Sequence, residues 1–393
     1  MNDREQLRLC FILFRAYPVF NRATNQAFGG SEVELYNLAA YFSQFDFIKV
    51  DFLVGDYGQK AVETYRNITV RKVRYMREDV YKSPWQKALR YLCFFRAMLR
   101  QRSHIYITKT ASEHLGWMVL FLKFLKGKKV VFRLGSDKDA EFEFWKSSRR
   151  LYRLYRFGLR NSDLIYVQSE DQKRMLRENC GLESRVLKNF FPAKKEKSLP
   201  HKEYILWVSR CEPLKRPELF LQLARSLPDE KFVMIMPHVR SSEDLENTYE
   251  KEMTGTARKA SEELENFEYY EFIPFQEIQR FYNHAKLFVN TSEYEGFPNS
   301  FIQACLGRTG ILTFRVNPDG ILDRYELGYC CGDDPDRAVE FIRGLEGRQI
   351  RKMGENAYDY VKQNHDPSRI GKAYLGDFMR LTGWNTEKGC FSR

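Results

Sequence analysis

Three short stretches bring together side chains able to handle a phosphorylated sugar. The first is Ser292-Glu293-Tyr294-Glu295-Gly296-Phe297-Pro298-Asn299-Ser300-Phe301-Ile302-Gln303-Ala304. It follows an apolar run, Leu287 to Asn290, that reads as a buried strand, and it ends in an apolar-periodic segment that reads as a helix. Gly296 and Pro298 preset a tight turn between the two. A strand, a glycine-bearing loop and a helix start aim backbone N–H groups and a helix dipole at an anion. Glu295 stands at the strand exit. A carboxylate beside an anion site is repulsive unless a ligand both polyhydroxylated and phosphorylated lies between them, and a nucleotide sugar is such a ligand.

The second stretch is Arg210-Cys211-Glu212-Pro213-Leu214-Lys215-Arg216-Pro217. Here Arg210 and Lys215 leave the end of another strand. When a sugar departs from a diphosphate, negative charge grows on the phosphate, and fixed cations that stabilise this growing charge accelerate transfer. The competing reading of Lys215 is a solvated loop residue. The third stretch, Gly29-Gly30-Ser31-Glu32, follows the first apolar run. Its glycines let the backbone approach a phosphate or sugar closely, although a plain tight turn uses them too. No GxGxxG occurs, which argues against a nicotinamide enzyme.

Regular alternation positions these stretches. Arg8 to Phe14 reads as a first strand. Ser31 then opens a helix, with Glu34 as the partner in a capping box and Leu35, Leu38, Ala39 and Phe42 as the apolar face. Further strands are predicted at 49–54, 68–73, 105–108, 130–134 and 164–167, with helices over 84–102, 115–125, 149–160 and 169–179. The helices at 84–102 and 149–160 are basic and aromatic, as suits a membrane interface or an ordinary packed helix with a wet face. Strand and helix alternate without hairpin signals, so the sheet should be parallel.

After Phe190-Phe191-Pro192, a Lys-rich run with Pro200 reads as a linker, and the pattern restarts. Strands are predicted at 204–209, 232–236, 270–273, 287–290 and 311–314. Pro217 begins a helix, 241–265 reads as solvated helix, and helices follow at 277–284, 335–345 and 350–363. The domains are residues 1–192, a linker 193–202, a second domain 203–364, and a tail 365–393 that packs back on the first. Two doubly wound α/β halves bind ligands at the carboxyl ends of their strands.

Composition narrows the class. A chain of 393 residues suits two domains, and a net charge of +12 calls for an anionic partner. The eight cysteines form no CxxC pair and no metal-ligand spacing, which fits small core residues in a reducing cytosol. His104, His114, His238 and His365 read as structural. No apolar run approaches the ~20 residues of a membrane span, and the run at 9–14 is too short for a signal-peptide core.

The first stretch resembles the motif of the retaining glycosyltransferases of family four, a Glu, seven residues, then a Glu. Glu295 matches the first Glu and Gly296-Phe297-Pro298-Asn299 the middle; Gln303 stands where the family has its second Glu. Arg210 and Lys215 match the family's cations, and Gly29-Gly30 its glycine pair. The resemblance implies a GT-B fold, two Rossmann-like domains facing across a cleft, and a retaining, metal-independent transfer with no cofactor. Glu295 would then bond donor-sugar hydroxyls, Gln303 the ribose hydroxyls, and the backbone of Ile273 and Pro274 the base. Gly29, Gly30, Gly296, Phe297, Pro298 and Asn299 would complete the donor site. The family often has a His after the strand at 130–134; Ser136 and Asp137 occupy that place here, and Asp137 is a candidate catalytic group or a helix cap.

The expected partners are a nucleoside diphosphate sugar, a lipid-linked or surface-polysaccharide acceptor and an anionic membrane surface, with no nucleic acid. The expected place is the cytosol, at the inner face of the membrane. The alternatives are a catalytically weak transferase-like scaffold, motivated by Gln303 and the missing His, and a GT-B nucleotide-sugar epimerase.

Overall fold

The computed structural model describes residues 6–24, 26, 28–77, 83–109, 111–141, 148–191, 201–237, 248–385 and 390–391. The linker residues up to 200, His238 and the first part of the helix expected from 241 lie outside them. The chain divides into two compact units, Met1–Phe190 with Pro367–Arg393, and Phe191–Asp366.

In the first unit the apolar runs become β1 (Leu7–Ile12), β2 (Ile48–Val54), β3 (Val62–Tyr65), β4 (Ile68–Lys72), β5 (Ile105–Lys109), β6 (Lys129–Arg133), β7 (Leu164–Val167) and β8 (Arg185–Val186). Their order across the sheet is β3-β4-β2-β1-β5-β6-β7-β8. Strands 1, 2, 5 and 6 carry apolar residues on both faces because helices cover both, as a parallel sheet requires. The helices are α1 (Tyr17–Phe20), α2 (Gly30–Phe42), α3 (Pro84–Arg100), α4 (Glu113–Met118), α5 (Lys138–Glu141), α6 (Arg149–Asn161) and α7 (Glu170–Cys180). α4 runs directly into a π-helical segment, Val119–Leu125.

The expectation of a wholly parallel sheet fails at one edge. β3 and β4 form an antiparallel hairpin, turned by Arg66 and Asn67 at φ 45° and 66°. Two left-handed residues make the turn type whose twist matches a hairpin, usually written Asn-Gly, and an Arg in its first place hides the signal.

In the second unit β9 (Tyr204–Val208), β10 (Phe232–Ile235), β11 (Phe267–Tyr270), β12 (Ala285–Asn290), β13 (Gly310–Thr313) and β14 (Gly328–Cys330) form a parallel sheet in the order β11-β10-β9-β12-β13-β14. Around it lie α8 (Pro217–Ser226), α9 (Thr248–Glu263), α10 (Phe275–His284), α11 (Asn299–Leu306), α12 (Ile321–Arg324), α13 (Pro335–Arg343) and α14 (Gly347–Asn364). The chain then re-enters the first unit as α15 (Pro367–Thr382), followed by β15 (Trp384–Asn385) and β16 (Cys390–Phe391).

α15 packs on α2 through Phe378 against Phe42, ring centroids 5.5 Å apart, and Trp384 stacks on Phe47 at 5.1 Å. No helix among the described residues is long and apolar enough to cross a membrane.

Candidate active site

The winding of the second sheet creates its site. From β9 the chain steps outward through β10 to β11, then returns to the other side of β9 and steps outward from β12 to β14. The loops after β9 and β12 therefore diverge from neighbouring strands at the point where the winding reverses, the place where such sheets bind ligands. The β9 loop carries Arg210 and Lys215; the β12 loop carries Glu295.

The structure brings Lys215 and Glu295 into contact. The Lys215 ammonium pairs with a Glu295 oxygen that also accepts from Ser292 Oγ at 2.8 Å. Their side chains retain 12% and 21% exposure, so the pair is reachable from solvent. Arg210 does not join them; it pairs with Glu212 on its own loop at 3.0 Å.

Cross-ties hold the two loops. The Glu293 N–H donates to the Leu214 carbonyl at 2.9 Å. Thr291 Oγ1 accepts from Trp207 Nε1 at 2.9 Å and donates to the Lys215 carbonyl. Arg216, held at φ 46°, donates through Nε to the Thr291 carbonyl at 2.7 Å and through Nη1 to Asp333 at 2.6 Å. Asp333 also pairs with Arg315 at 3.1 Å. Sequence reasoning passed over Thr291, Arg216 and Asp333, because their partners lie on other strands.

The N-cap residues of α8 and α11, Arg216 and Pro298, make no side-chain cap bond to their helices, whose amino ends lie at this edge. Gly296, Phe297 and Pro298 are buried, and Asn299 begins α11. Phe297 packs on His365, centroids 4.8 Å apart, so His365 backs the motif loop. Gln303, also buried, lies one turn along α11, its carbonyl held by Gln279 Nε2 at 3.0 Å. Ile273 and Pro274 lie between β11 and α10, at the same carboxyl edge.

In the first unit Gly29 is the N-cap of α2, and its N–H donates to Glu32 at 3.0 Å. This corrects the expected capping box of Ser31 and Glu34. Only the Glu32 half of a box forms, two residues earlier, because Gly29 has no side chain to return the bond. Glu34 is buried, paired with Lys109 at the end of β5 and Arg133 at the end of β6. Arg133 also donates to Tyr374 on α15 and to Asn189. Burial holds the Lys109 ammonium below its ordinary pKa, with Asp139 and Glu32 opposing. Burial raises the Asp139 carboxyl against the N–H groups of Gly135 and Ser136.

Asp137 accepts from Gln172 Nε2 at 3.0 Å, and its carbonyl accepts from Ala140 at 2.8 Å at the start of α5. His104 accepts from the Arg8 N–H at 3.0 Å, and His114 packs among Phe14, Tyr91 and Phe94. Among the described residues no cluster of three or more His, Cys, Asp or Glu is arranged to hold a metal ion.

Residues 190–359 match the family model of the glycosyl transferases group 1, and residues 28–195 that of glycosyltransferase family 4. No curated protein matches the chain. Among solved structures, sucrose-phosphate synthase from Thermosynechococcus elongatus superposes with a TM-score of 0.75 at 16% identity, over 96% of this chain and 99% of that one. A trehalose-6-phosphate protein from E. coli bound with UDP-2-fluoro glucose gives 0.68 at 12% identity, over 94% and 98%. TarM from S. aureus, in complex with α-GlcNAc-glycerol and UDP, gives 0.55 at 16% identity, over 70% of this chain and 55% of that one. At these identities the superpositions establish a shared fold, two Rossmann-like α/β units of the GT-B type.

Proposed function

We propose that this chain, which belongs to the GT-B glycosyltransferases, moves a hexose with retention of configuration from a nucleoside diphosphate sugar to a lipid-linked or surface-polysaccharide acceptor. The observation that carries the reading is the Lys215–Glu295 pair at the reversal point of the second sheet. A donor satisfies both members at once. Its diphosphate takes the ammonium and the amino end of α11, and its sugar hydroxyls take the carboxylate. Two of the similar structures hold a UDP-sugar analogue or UDP, which supports a nucleoside diphosphate donor.

In the proposed reaction the acceptor oxygen bonds to the anomeric carbon as the bond from that carbon to the diphosphate oxygen breaks. The acceptor proton passes to the departing diphosphate on the same face. Lys215 and Arg210 stabilise the charge left on the diphosphate, and Glu295 supports positive character at the sugar; no metal is required. Gln303 bonds the ribose through its neutral amide, more weakly than a carboxylate would.

Replacement of Lys215 or Arg210 by Ala should lower turnover by roughly 10²–10³, the scale for losing one preorganised charge stabiliser. The measurement is donor hydrolysis and transfer across a panel of nucleoside diphosphate sugars, preceded by thermal shift to find the donor that binds. Near-normal turnover in both variants refutes the role. Gln303 favours a second reading, the inactive scaffold. Absence of any donor shift or turnover in the unmodified protein, with Glu295→Ala indistinguishable from it, would favour that reading.

A further inference from the structure

We propose that α3, the π-helical segment and the outer face of α6 form one composite surface that lies on an anionic lipid bilayer. The proposal rests on the lipid-linked acceptor of the reading above. Nine large apolar side chains are exposed among the described residues, and seven of them fall on these three elements. On α3 they are Trp85, Leu92 and Leu99, at 72%, 63% and 57% exposure. With Ala88 and Arg96 they follow helical spacing and form one outward stripe, opposite the buried Phe94 and Met98.

The π winding adds the second part. Its wider turn sets residues four and five apart on one face, so Leu120, Phe124 and Leu125 project outward together while Leu122 stays buried. Phe157 of α6 completes the surface, its ring 6.1 Å from Phe124.

The three elements are tied side by side. Lys126 Nζ donates to the carbonyls of Leu99 and Gln101 at 2.9 and 3.2 Å, closing the end of α3 onto the π segment. Phe95 of α3 stacks on Phe121 at 4.3 Å.

Charge selects the occupant. Residues 84–102, 119–129 and 149–161 hold fourteen Lys and Arg and no carboxylate, more than the net +12 of the whole chain. The remainder of the protein is thus slightly acidic, and the basicity is concentrated beside the exposed apolar groups. An apolar stripe flanked by cations of one sign fits the acyl boundary and the anionic headgroups of a bilayer. α3 follows the carboxyl end of β4 and precedes the amino end of β5, so the stripe spans the strand length, with Trp85 at the ligand-binding edge. A helix lying in the bilayer plane then presents that edge to a lipid-linked acceptor.

The test is flotation of the full chain with vesicles of phosphatidylcholine, with and without about one-third phosphatidylglycerol. Binding to the anionic vesicles only is expected. The combined variant Leu92→Ser, Leu99→Ser, Phe124→Ser, Leu125→Ser, all at exposed positions, should lower partitioning by about tenfold or more. Arg96→Glu with Arg100→Glu should do the same. The unmodified protein should show a blue shift of Trp emission on binding that Trp85→Phe abolishes.

Failure to float overturns the proposal, as does loss of binding on charge reversal but not on the Ser substitutions, which is plain electrostatic adhesion. Preferential binding to duplex nucleic acid, or a dimer that the Ser variant dissolves, overturns it too. Donor turnover in vesicle-free buffer separates the two readings. Turnover without flotation sinks the surface alone, and flotation without turnover sinks the transferase reading alone.

Discussion

Thr291 is a small residue with three duties. Its hydroxyl accepts from the Trp207 indole and donates to the Lys215 carbonyl, and its own carbonyl receives Arg216 Nε. Lys215 is thereby held by a residue four positions before Glu295, its partner in the ion pair. Thr291→Val keeps the shape and removes the hydroxyl, leaving a buried indole N–H without its partner, at a cost of about 1–3 kcal/mol. Chemical denaturation should show that loss. If Thr291 positions Lys215, kcat should fall more than donor KM rises; an unchanged kcat would make Thr291 purely structural. The motif residues themselves are readable in order along the chain. The ties that aim them are not, because each joins a loop to a different strand, and only the folded sheet brings those partners together.

At the scale of elements, local chemistry announced most strands and helices. Apolar runs predicted β1, β2, β5, β6, β9, β10, β12 and β13 within a few residues, and Leu35, Leu38, Ala39 and Phe42 are buried on α2. The failures have local causes. Arg66 disguised a hairpin turn, and Glu34 suggested a cap because its true partners, Lys109 and Arg133, are remote in sequence.

One contact between elements was legible only as two unremarked glycines. α4 crosses α6 so closely that a Cβ on Gly158 would lie 2.7 Å from the Gly116 backbone nitrogen. Gly158→Ala must push the helices apart, at a cost of about 1–3 kcal/mol. Because the π segment continues α4, the same variant should weaken vesicle binding more than its loss of thermal stability accounts for. Full vesicle binding by a destabilised variant would show that the alignment of α4 and α6 does not matter to the surface.

For the whole molecule, the last helix decides the integrity of the first unit. Tyr166 donates to Asp377 at 2.9 Å, Arg185 pairs with the same carboxylate, and Tyr374 meets Arg133. Phe378, Tyr374 and Trp384 belong to the core cluster built on β1, β2 and α2. Ending the chain at Asp366 would expose that core, take Tyr374 from the buried Arg133, and remove the carboxylate that Tyr166 and Arg185 share. Such a truncated protein should be insoluble or lack a cooperative melt, whereas ending it at Asn385 should preserve one. A soluble, cooperatively melting 1–366 fragment would show that α15 is dispensable. A tail over 365–393 packing back on the first domain was expected, but composition and periodicity named none of its partners, since an amphipathic terminal helix looks the same whatever it docks against.

The re-entry of the chain makes the second unit, Phe191 to Asp366, an uninterrupted insert within a host domain that encloses it in sequence on both sides. If the second unit holds the donor, as proposed, a graft of donor preference from a similar transferase needs only an internal cassette bounded at those two seams. The N-terminal host keeps both of its own ends, whereas a chimaera spliced once, at the midpoint, would give the host a foreign final helix.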